Sequence, residues 1–221
     1  MEQRVRDLGG SHFDATVSEP STISFEFANL EAETAKPVFG RGLLDFREPS
    51  LSDDRKVLCR QVNGSEFQVE SLSVTEGADD SGHKEAQCLG PARETGTVVW
   101  EAAMATDAEG EVRQLTEVYI DSAEVRAEPG MCVPACVLLE FTDGGTLLFE
   151  QITTRLVNYP LGFFLDDRLL TAPSVRSMIS RGQTIITGLS VGEAKTLAAQ
   201  LNSGPLPVPV KLEFIEELTN D

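Results

Sequence analysis

The chain has 221 residues, which is enough for one large domain or two small units with a hydrophobic core. It carries 36 acidic against 18 basic residues, so its formal net charge of -18 argues against nucleic acid and anionic lipid surfaces as partners. No apolar run approaches the roughly 18–20 residues that span a bilayer, and residues 1–10 lack the apolar core of a signal peptide. Taken alone, these features suggest a cytosolic globular protein.

The first fifty residues predict two short helices and two strands. A helix is expected over residues 2–8. The alternation of apolar and polar residues over Thr22–Phe27 predicts a half-buried strand. Asn29 is a candidate N-cap for a helix over residues 31–36, and residues 42–47 (GLLDFR) predict a second strand.

Residues 48–134 have a different character. The region begins at Pro49, includes a polar run over residues 75–87 and ends near the Pro-Gly break at 129–130. Eight acids against two arginines fall between residues 101 and 128. Trp100 is the only tryptophan and follows two valines. It either anchors a small local core or serves as an exposed aromatic residue that grips a peptide.

Regular patterning returns after Pro134. Alternation through Val137, Leu139 and Phe141 predicts a strand. Leu148, Ile152 and Leu156 lie at positions i, i+4 and i+8, on one face of a predicted helix. Two apolar runs at 161–165 and 168–171 then predict a hairpin. They are joined by Asp166-Asp167, which tolerate a tight turn.

The last predicted helix follows a short strand at 184–187. Ser190 is its N-cap and Glu193 completes a capping box. An apolar face repeats at helical spacing in Ala194, Leu197, Ala198 and Leu201. Residues 202–205 (NSGP) end the helix, and prolines alternating over 205–210 predict an extended exit.

This C-terminal stretch resembles the SecD subunit of the bacterial Sec protein-export machinery. Sequences of that family run through a hairpin of the type LDGK-isAP, a GxxxITG strand, an EAxxLAxxL helix and a Gly-Ala-Leu-Pro-x-Pro exit. The matching segments here are LDDR at 165–168, AP at 172–173, GQTIITG at 182–188, EAKTLAAQL at 193–201 and GPLPVPV at 204–210. Residues 2–9 and 42–47 extend the resemblance toward the N-terminus, whereas Asp167 departs from the glycine that is common in the family.

The element order reads as strand–helix–strand, an insert, and strand–helix–strand with an extra strand and helix. This order is typical of a split βαβ pair in a ferredoxin-like α+β fold, and the resemblance implies the same base. We therefore expect residues 1–48 and 135–221 to form the base and residues 49–134 to form an inserted head subdomain.

The resemblance also implies a role and a location. Family members are membrane proteins whose first large domain lies outside the cytoplasm, between the first two membrane helices, so we expect this chain to be an excised piece of a longer protein. SecD works with SecF beside the SecYEG channel and assists late export of preproteins with the proton gradient, through a proton path that lies in the membrane helices. The head would capture or retain emerging preproteins, with Trp100 and Val118 as candidate contacts, and would tilt about Pro49 and Pro134.

Two other functions remain open at this stage. One is a spacer domain that only assembles SecD with SecF, and the other is a divergent domain that binds a small ligand or a metal. An enzyme is not expected, because the sequence has no GxSxG elbow and no phosphate-binding glycine loop. Asp166 and Asp167 are explained by the turn, and no cofactor is expected.

The four cysteines, Cys59, Cys88, Cys132 and Cys136, suggest disulfides in a domain outside the cytoplasm. A Cys59–Cys88 bridge would contribute about 3–4 kcal/mol by the chain-entropy estimate. Cys132 and Cys136 can pair only if residues 133–135 form a turn, because in an extended strand they would lie about 13 Å apart. Cross-pairing stays open. A zinc site is disfavoured because the spacings do not form two CxxC knuckles, and His12 and His83 have no companion ligands.

Overall fold

The computed structural model describes residues 1–18, 22–29, 39–70, 75–78, 84–90, 93–127 and 132–206. Over these residues the protein is α+β, as predicted, with strands predominating over helices. In chain order its elements are α1 (Glu2–Asp7), β1 (Phe13–Ser18), β2 (Thr22–Phe27), β3 (Leu44–Pro49), β4 (Val57–Arg60), β5 (Glu66–Val69), β6 (Thr75–Ala78), β7 (Lys84–Leu89), β8 (Thr95–Val98), β9 (Trp100–Ala102), β10 (Met104–Thr106), β11 (Val112–Gln114), a 3-10 turn (Glu117–Tyr119), β12 (Ile120–Arg126), β13 (Ala135–Phe141), α2 (Asp143–Arg155), β14 (Gly162–Leu165), β15 (Arg168–Thr171), β16 (Gln183–Leu189) and α3 (Val191–Asn202).

The chain divides into two compact units. The first contains residues 1–42, 122–138 and 185–221, and the second contains residues 43–121 and 139–184. These units do not follow the boundaries predicted after residues 48 and 134. The division into base and head stays a prediction.

In the first unit, the strands β1 and β2 form an antiparallel hairpin that pairs Phe13 with Phe27. The Phe25 ring lies 5.7 Å from that of Phe13 and 5.6 Å from that of Phe39, measured between centroids. The helix α1 packs against α3. Val5 of α1 and Ala194 of α3 are both fully buried, so apolar contact holds the two helices together.

The helix α3 begins as its sequence predicts. The Ser190 hydroxyl accepts a hydrogen bond from the Glu193 N–H at 3.2 Å, and the Glu193 carboxylate accepts one from the Ser190 N–H at 2.7 Å. This reciprocal pair is the capping box, which satisfies two N–H groups that a helix start otherwise leaves without partners. The helix ends at Asn202, and Gly204 has a φ of 72°, so the predicted glycine stop is confirmed.

The second unit has an aromatic core around Phe46 of β3. Its ring lies 4.9 Å from Phe163 of β14, 5.6 Å from Phe141 and 6.2 Å from Phe149 of α2, measured between centroids. The predicted helix face is confirmed, because Leu148, Ile152 and Leu156 are all at most 1% exposed. Strands pair here in the order β15-β14-β3-β9, and a second sheet has the order β5-β4-β8-β7-β6.

The strands predicted for a ferredoxin-like base belong to different sheets in the described part of the chain. The strand β2 pairs with β1, β3 pairs with β14 and β9, and β13 lies between β12 and β16. The specific ferredoxin-like arrangement is therefore not confirmed. The predicted helix at 31–36 and the exit over 207–210 lie outside the described residues.

Candidate functional site

The second unit contains a sheet that is cross-linked by the Cys59–Cys88 disulfide. Cys59 lies on β4 and Cys88 on β7, and β8 runs between these two strands. Strands two apart in a flat sheet are separated by about 9.5 Å, because neighbours are about 4.7–4.9 Å apart. The two Cα atoms are only 6.3 Å apart. The sheet must therefore bend sharply across β8, and the disulfide holds it bent.

Gly96 of β8 is the residue that allows this bend. A Cβ atom at this position would lie 2.5 Å from the carbonyl oxygen of Arg60, which is backbone and has no free side-chain rotation to escape. Gly96 is directly opposite Cys88 in the β7–β8 register. The absence of a side chain at Gly96 and the disulfide thus act at the same place in the sheet.

Trp100 packs at the edge of the small core around this disulfide. The core contains Cys59, Cys88, Phe164 and other buried residues, and the half-buried Trp100 lies against it. The Trp100 ring meets that of Phe164 edge-on at a centroid distance of 5.6 Å. This geometry matches the local-anchor interpretation from the sequence. A contact between Trp100 and a preprotein stays a prediction.

Val118 is placed very differently. It lies on the 3-10 turn and is 67% exposed. A backbone hydrogen bond ties this turn to the residue before α2, because the Tyr119 carbonyl accepts a hydrogen bond of 2.9 Å from the Thr142 N–H. The 3-10 turn thus presents an apolar side chain to solvent, and contact of Val118 with a preprotein stays a prediction.

Exposed acidic side chains occur on β9 and in the turn between β10 and β11. Glu101, Glu109 and Glu111 are exposed. Asp107 instead organises the turn, since its carboxylate accepts hydrogen bonds from the N–H groups of Glu111 and Glu109 and from Arg113. The hydrogen bond from the Glu111 N–H is the main cause that lowers the pKa of Asp107, with Arg113 adding to it. This part of the surface is therefore negatively charged at neutral pH.

The second disulfide joins Cys132 and Cys136, whose Cα atoms are 5.0 Å apart. The chain bends at residues 132–134, directly before β13 begins at Ala135, and this bend allows the pairing; Val133 is exposed and Pro134 lies inside the closed loop. The other predicted hinge residue, Pro49, lies at the end of β3 opposite Trp100 of β9. Pro49 thus belongs to a paired strand, and hinge motion at either proline stays a prediction.

The two aspartates of the hairpin have structural tasks. Both adopt positive φ, 51° for Asp166 and 65° for Asp167, so the tight turn is formed even without the family's glycine. The Asp166 carboxylate accepts a hydrogen bond of 3.0 Å from the Leu43 N–H, and the Asp167 carboxylate pairs with Arg47 at 2.5 Å. Each carboxylate therefore already has a partner that explains its position.

No group of three or more His, Cys, Asp or Glu side chains stands close enough to hold a metal ion within the described ranges. His12 is exposed, and His83 lies outside them. The described helices include none that is long and apolar enough to cross a membrane. The described residues thus present a bent, disulfide-linked sheet and an exposed acidic turn.

Sequence reasoning missed the role of Arg4 in the first unit. This side chain is fully buried, and its guanidinium donates hydrogen bonds to two distant segments of the chain. Its Nε contacts the Ser203 hydroxyl at 2.8 Å, and its guanidinium also reaches the carbonyls of Gly40 at 2.5 Å, Arg41 at 3.0 Å and Gly204 at 2.7 Å. Arg4 thus ties the first helix to the chain segments at 40–41 and 203–204. Nothing in the residue pattern distinguishes it from Arg6, which is exposed.

Comparison with known proteins gives consistent results. The model of the family described as SecDF, P1 head subdomain, matches residues 105–208. This range includes residues 135–208, which the sequence had assigned to the base. The SecD subunit of Calditerrivibrio nitroreducens is 39% identical over 99 residues, covering 44% of this chain and 19% of that protein. The SecDF of Thermus thermophilus is 40% identical over 99 residues, covering 44% and 14%.

A longer match extends over most of the chain. The SecD subunit of Endomicrobium trichonymphae is 31% identical over 195 residues, covering 86% of this chain and 38% of that protein. The chain thus spans between 14% and 38% of the length of these three curated relatives.

Solved structures agree in fold. A structure of a membrane component SecDF that enhances protein export has a TM-score of 0.60 at 22% identity, covering 98% of this chain and 89% of that one. SecDF in a super-membrane-facing form has a TM-score of 0.61 at 24% identity, covering 96% and 26%. At these identities the solved structures support the fold, and the sequence matches support the family assignment. The chain belongs to the SecD/SecDF family of protein translocase subunits, as its C-terminal motifs predicted.

Proposed function

We propose that this chain is the extracytoplasmic domain of a SecD-type subunit that assists the late export of preproteins, in a process driven by the proton gradient. The observation that carries the proposal is the family membership together with a fold that matches a SecDF described as enhancing protein export. In this proposal the domain is not an enzyme. It acts mechanically, with SecF and the SecYEG channel as partners and an unfolded preprotein as the chain that it captures or retains.

The disulfides support a location outside the cytoplasm. Both cysteine pairs are bonded, and no free cysteine remains in the described part of the chain. Disulfides persist in oxidising compartments, whereas the cytosol of most bacteria keeps thiols reduced. An extracytoplasmic domain of a membrane-bound translocase subunit fits this requirement.

The exposed acidic side chains and Val118 support contact with a preprotein. Unfolded chains carry exposed apolar and basic segments, which an exposed apolar side chain and exposed acidic side chains can attract. We infer that basic preprotein segments bind preferentially. The contact should therefore weaken as salt is added, because exposed charges more than a Debye length apart, about 8–10 Å near physiological salt, are screened.

The experiment is site-specific photocrosslinking in a full-length SecD that carries this domain, during arrested export. The probe replaces Val118, and the matched control places it at Val62, a fully exposed valine in the β4–β5 turn. Crosslinks to the exporting chain from Val118 but not from Val62 would support capture. A third probe at Trp100 tests the weaker candidate, whose ring is already engaged with Phe164.

Another outcome would support a different function. If Val118 crosslinks only to SecF or to the channel, the domain is a spacer that assembles the two subunits, and we would withdraw capture of preproteins. If binding of an unfolded test chain is independent of salt and of its charge, the acidic surface has no role in recognition.

We also propose the finer fold prediction, in which a ferredoxin-like base carries a head that tilts about Pro49 and Pro134. The support for a separate base is that β13 and β16 are neighbours in one sheet, although α2, β14 and β15 lie between them in the chain. Expression of residues 49–134 alone tests the boundaries, with residues 105–208 as the comparison because the family model matches that range. A folded 105–208 beside an unfolded 49–134 would refute the predicted division.

A further inference from the structure

Two helices of this protein close the free edges of two β-strands with side-chain amides. A strand edge presents N–H and C=O groups that can pair with any other extended chain, and natural proteins protect such edges. The described part of the structure contains two such amide contacts, one in each compact unit.

In the second unit, Gln151 of α2 covers the free edge of β10. Its side-chain oxygen accepts a hydrogen bond of 3.2 Å from the Thr106 N–H, and its side-chain nitrogen donates one of 2.7 Å to the Thr106 carbonyl. A residue of a neighbouring strand would make the same pair of hydrogen bonds. The strand β10 pairs with β11 on its other side, so Gln151 takes the place of a further strand.

One turn further along α2, Arg155 continues this cover. Its guanidinium donates a hydrogen bond to the Met104 carbonyl, and it is held in place by an ion pair with Glu48 at 2.9 Å. Residues four apart on a helix are about 6.0 Å apart along its axis, and residues two apart on a strand are about 6.8 Å apart. Gln151 and Arg155 therefore match the spacing of Thr106 and Met104, and the helix follows the strand edge over two successive outward-facing positions.

In the first unit, Asn202 at the end of α3 does the same for β12. Its side-chain oxygen accepts a hydrogen bond of 2.9 Å from the Ala123 N–H, and its nitrogen donates one of 2.8 Å to the Ala123 carbonyl. The strand β12 is at the end of the sheet order β12-β13-β16. The same chemistry thus occurs at a second edge, on another helix and with another amide residue.

We propose that Gln151 and Asn202 are edge guards, which prevent another extended polypeptide from adding as a strand to β10 and β12. Each amide satisfies both backbone groups of one outward-facing residue, so an incoming chain must first break two hydrogen bonds. This inference does not depend on the proposed capture of preproteins. It concerns self-association of the folded chain and holds for any function of the domain.

The experiment measures association of the intact chain by sedimentation over a range of concentrations, with a second copy of the same chain as the probe. The variants are Gln151→Met and Asn202→Leu, which keep the approximate side-chain volume and remove both hydrogen bonds. We expect the association constant to rise about tenfold, because two backbone groups become available for pairing. An infrared band of intermolecular β-structure should appear with it. The matched control is Lys195→Leu, which adds an apolar side chain at an exposed position of α3 without opening a strand edge.

The proposal is overturned if both folded variants remain as monomeric as the parent chain, or if Lys195→Leu associates equally. If Asn202→Leu or Gln151→Met fails to fold, the variant Gln151→Glu still tests the proposal. Glutamate keeps the acceptor for the Thr106 N–H but cannot donate to the Thr106 carbonyl at neutral pH. An increase in association with Gln151→Glu supports the guard function, and the absence of one overturns it.

Discussion

Replacement of Arg4 tests how much one buried cation contributes to the first unit. In Arg4→Met the apolar length of the side chain is kept, while the hydrogen bonds to Ser203, Gly40, Arg41 and Gly204 are lost. Removal of one partner from a buried charged network typically costs about 3–5 kcal/mol, because the buried acceptors lose their partners. For a chain of this size that corresponds to a decrease in melting temperature of roughly 6–20 °C.

The measurement is urea unfolding followed by far-UV circular dichroism and by the fluorescence of Trp100. Two probes are needed because Trp100 belongs to the second unit and Arg4 to the first. Arg4→Lys should lie between the parent and Arg4→Met, because an ammonium group has only three donors and lacks the planar fork of a guanidinium. The matched control is Arg6→Met, two residues away on the same helix, where Arg6 is exposed and forms an ion pair with Glu2. That exposed pair is worth at most about 1 kcal/mol.

The result that would refute the reasoning is a loss of stability in Arg4→Met no larger than that in Arg6→Met. It would mean that the carbonyl groups around Arg4 find other partners at little cost. The contribution of the network would then have to be assigned to packing of α1 on α3 alone.

Two further outcomes follow from backbone geometry and from titration. Gly96→Ala should lower the free energy of unfolding by about 2–3 kcal/mol, because the new Cβ meets the Arg60 carbonyl. The control, Gly192→Ala in the first turn of α3, should be neutral or stabilising by up to about 1 kcal/mol. Equal effects of the two variants in thermal melts would contradict the bend at β8. The Asp107 carboxyl should titrate below the ordinary aspartate pKa in an NMR titration, mainly because of the Glu111 N–H. The Asp107 carboxylate then contributes fully to stability above the unfolded pKa of about 3.9, and this contribution is lost as the pH falls through the lower pKa of the folded state. Asp107→Asn should remove this pH dependence. An unshifted Asp107 pKa would show that the hydrogen bonds of the turn do not stabilise the carboxylate.

The parts of the fold that the sequence predicted well are those decided by neighbouring residues. The capping box of Ser190 and Glu193 is local chemistry, and so is the tight turn at Asp166-Asp167. The aliphatic face that buries Leu148 and Ile152 follows from helical spacing alone.

Features that depend on residues far apart in the chain could not be predicted from the sequence. The sequence left the cysteine pairing open, because pairing of Cys59 with Cys88 requires a bend across a strand that neither cysteine belongs to. No local pattern predicts that Arg4 is buried, because an arginine on a short helix, two residues from the exposed Arg6, is expected to lie in solvent. The amide contacts of Gln151 and Asn202 also join elements about 45 and 79 residues apart, and no period in the sequence reveals them.

The bent sheet around β8 has a consequence for when this protein can reach its final shape. Its curvature is sustained by a covalent bond between strands that are not neighbours, so a chain whose thiols are still reduced lacks the tie that brings β4 and β7 together. The sheet would then relax toward the wider separation of a flat arrangement and expose the small apolar cluster beneath it. Completion of the fold thus becomes conditional on the redox environment. In a chain held among reduced thiols, we expect this one sheet to lack its curvature until the Cys59–Cys88 bond forms.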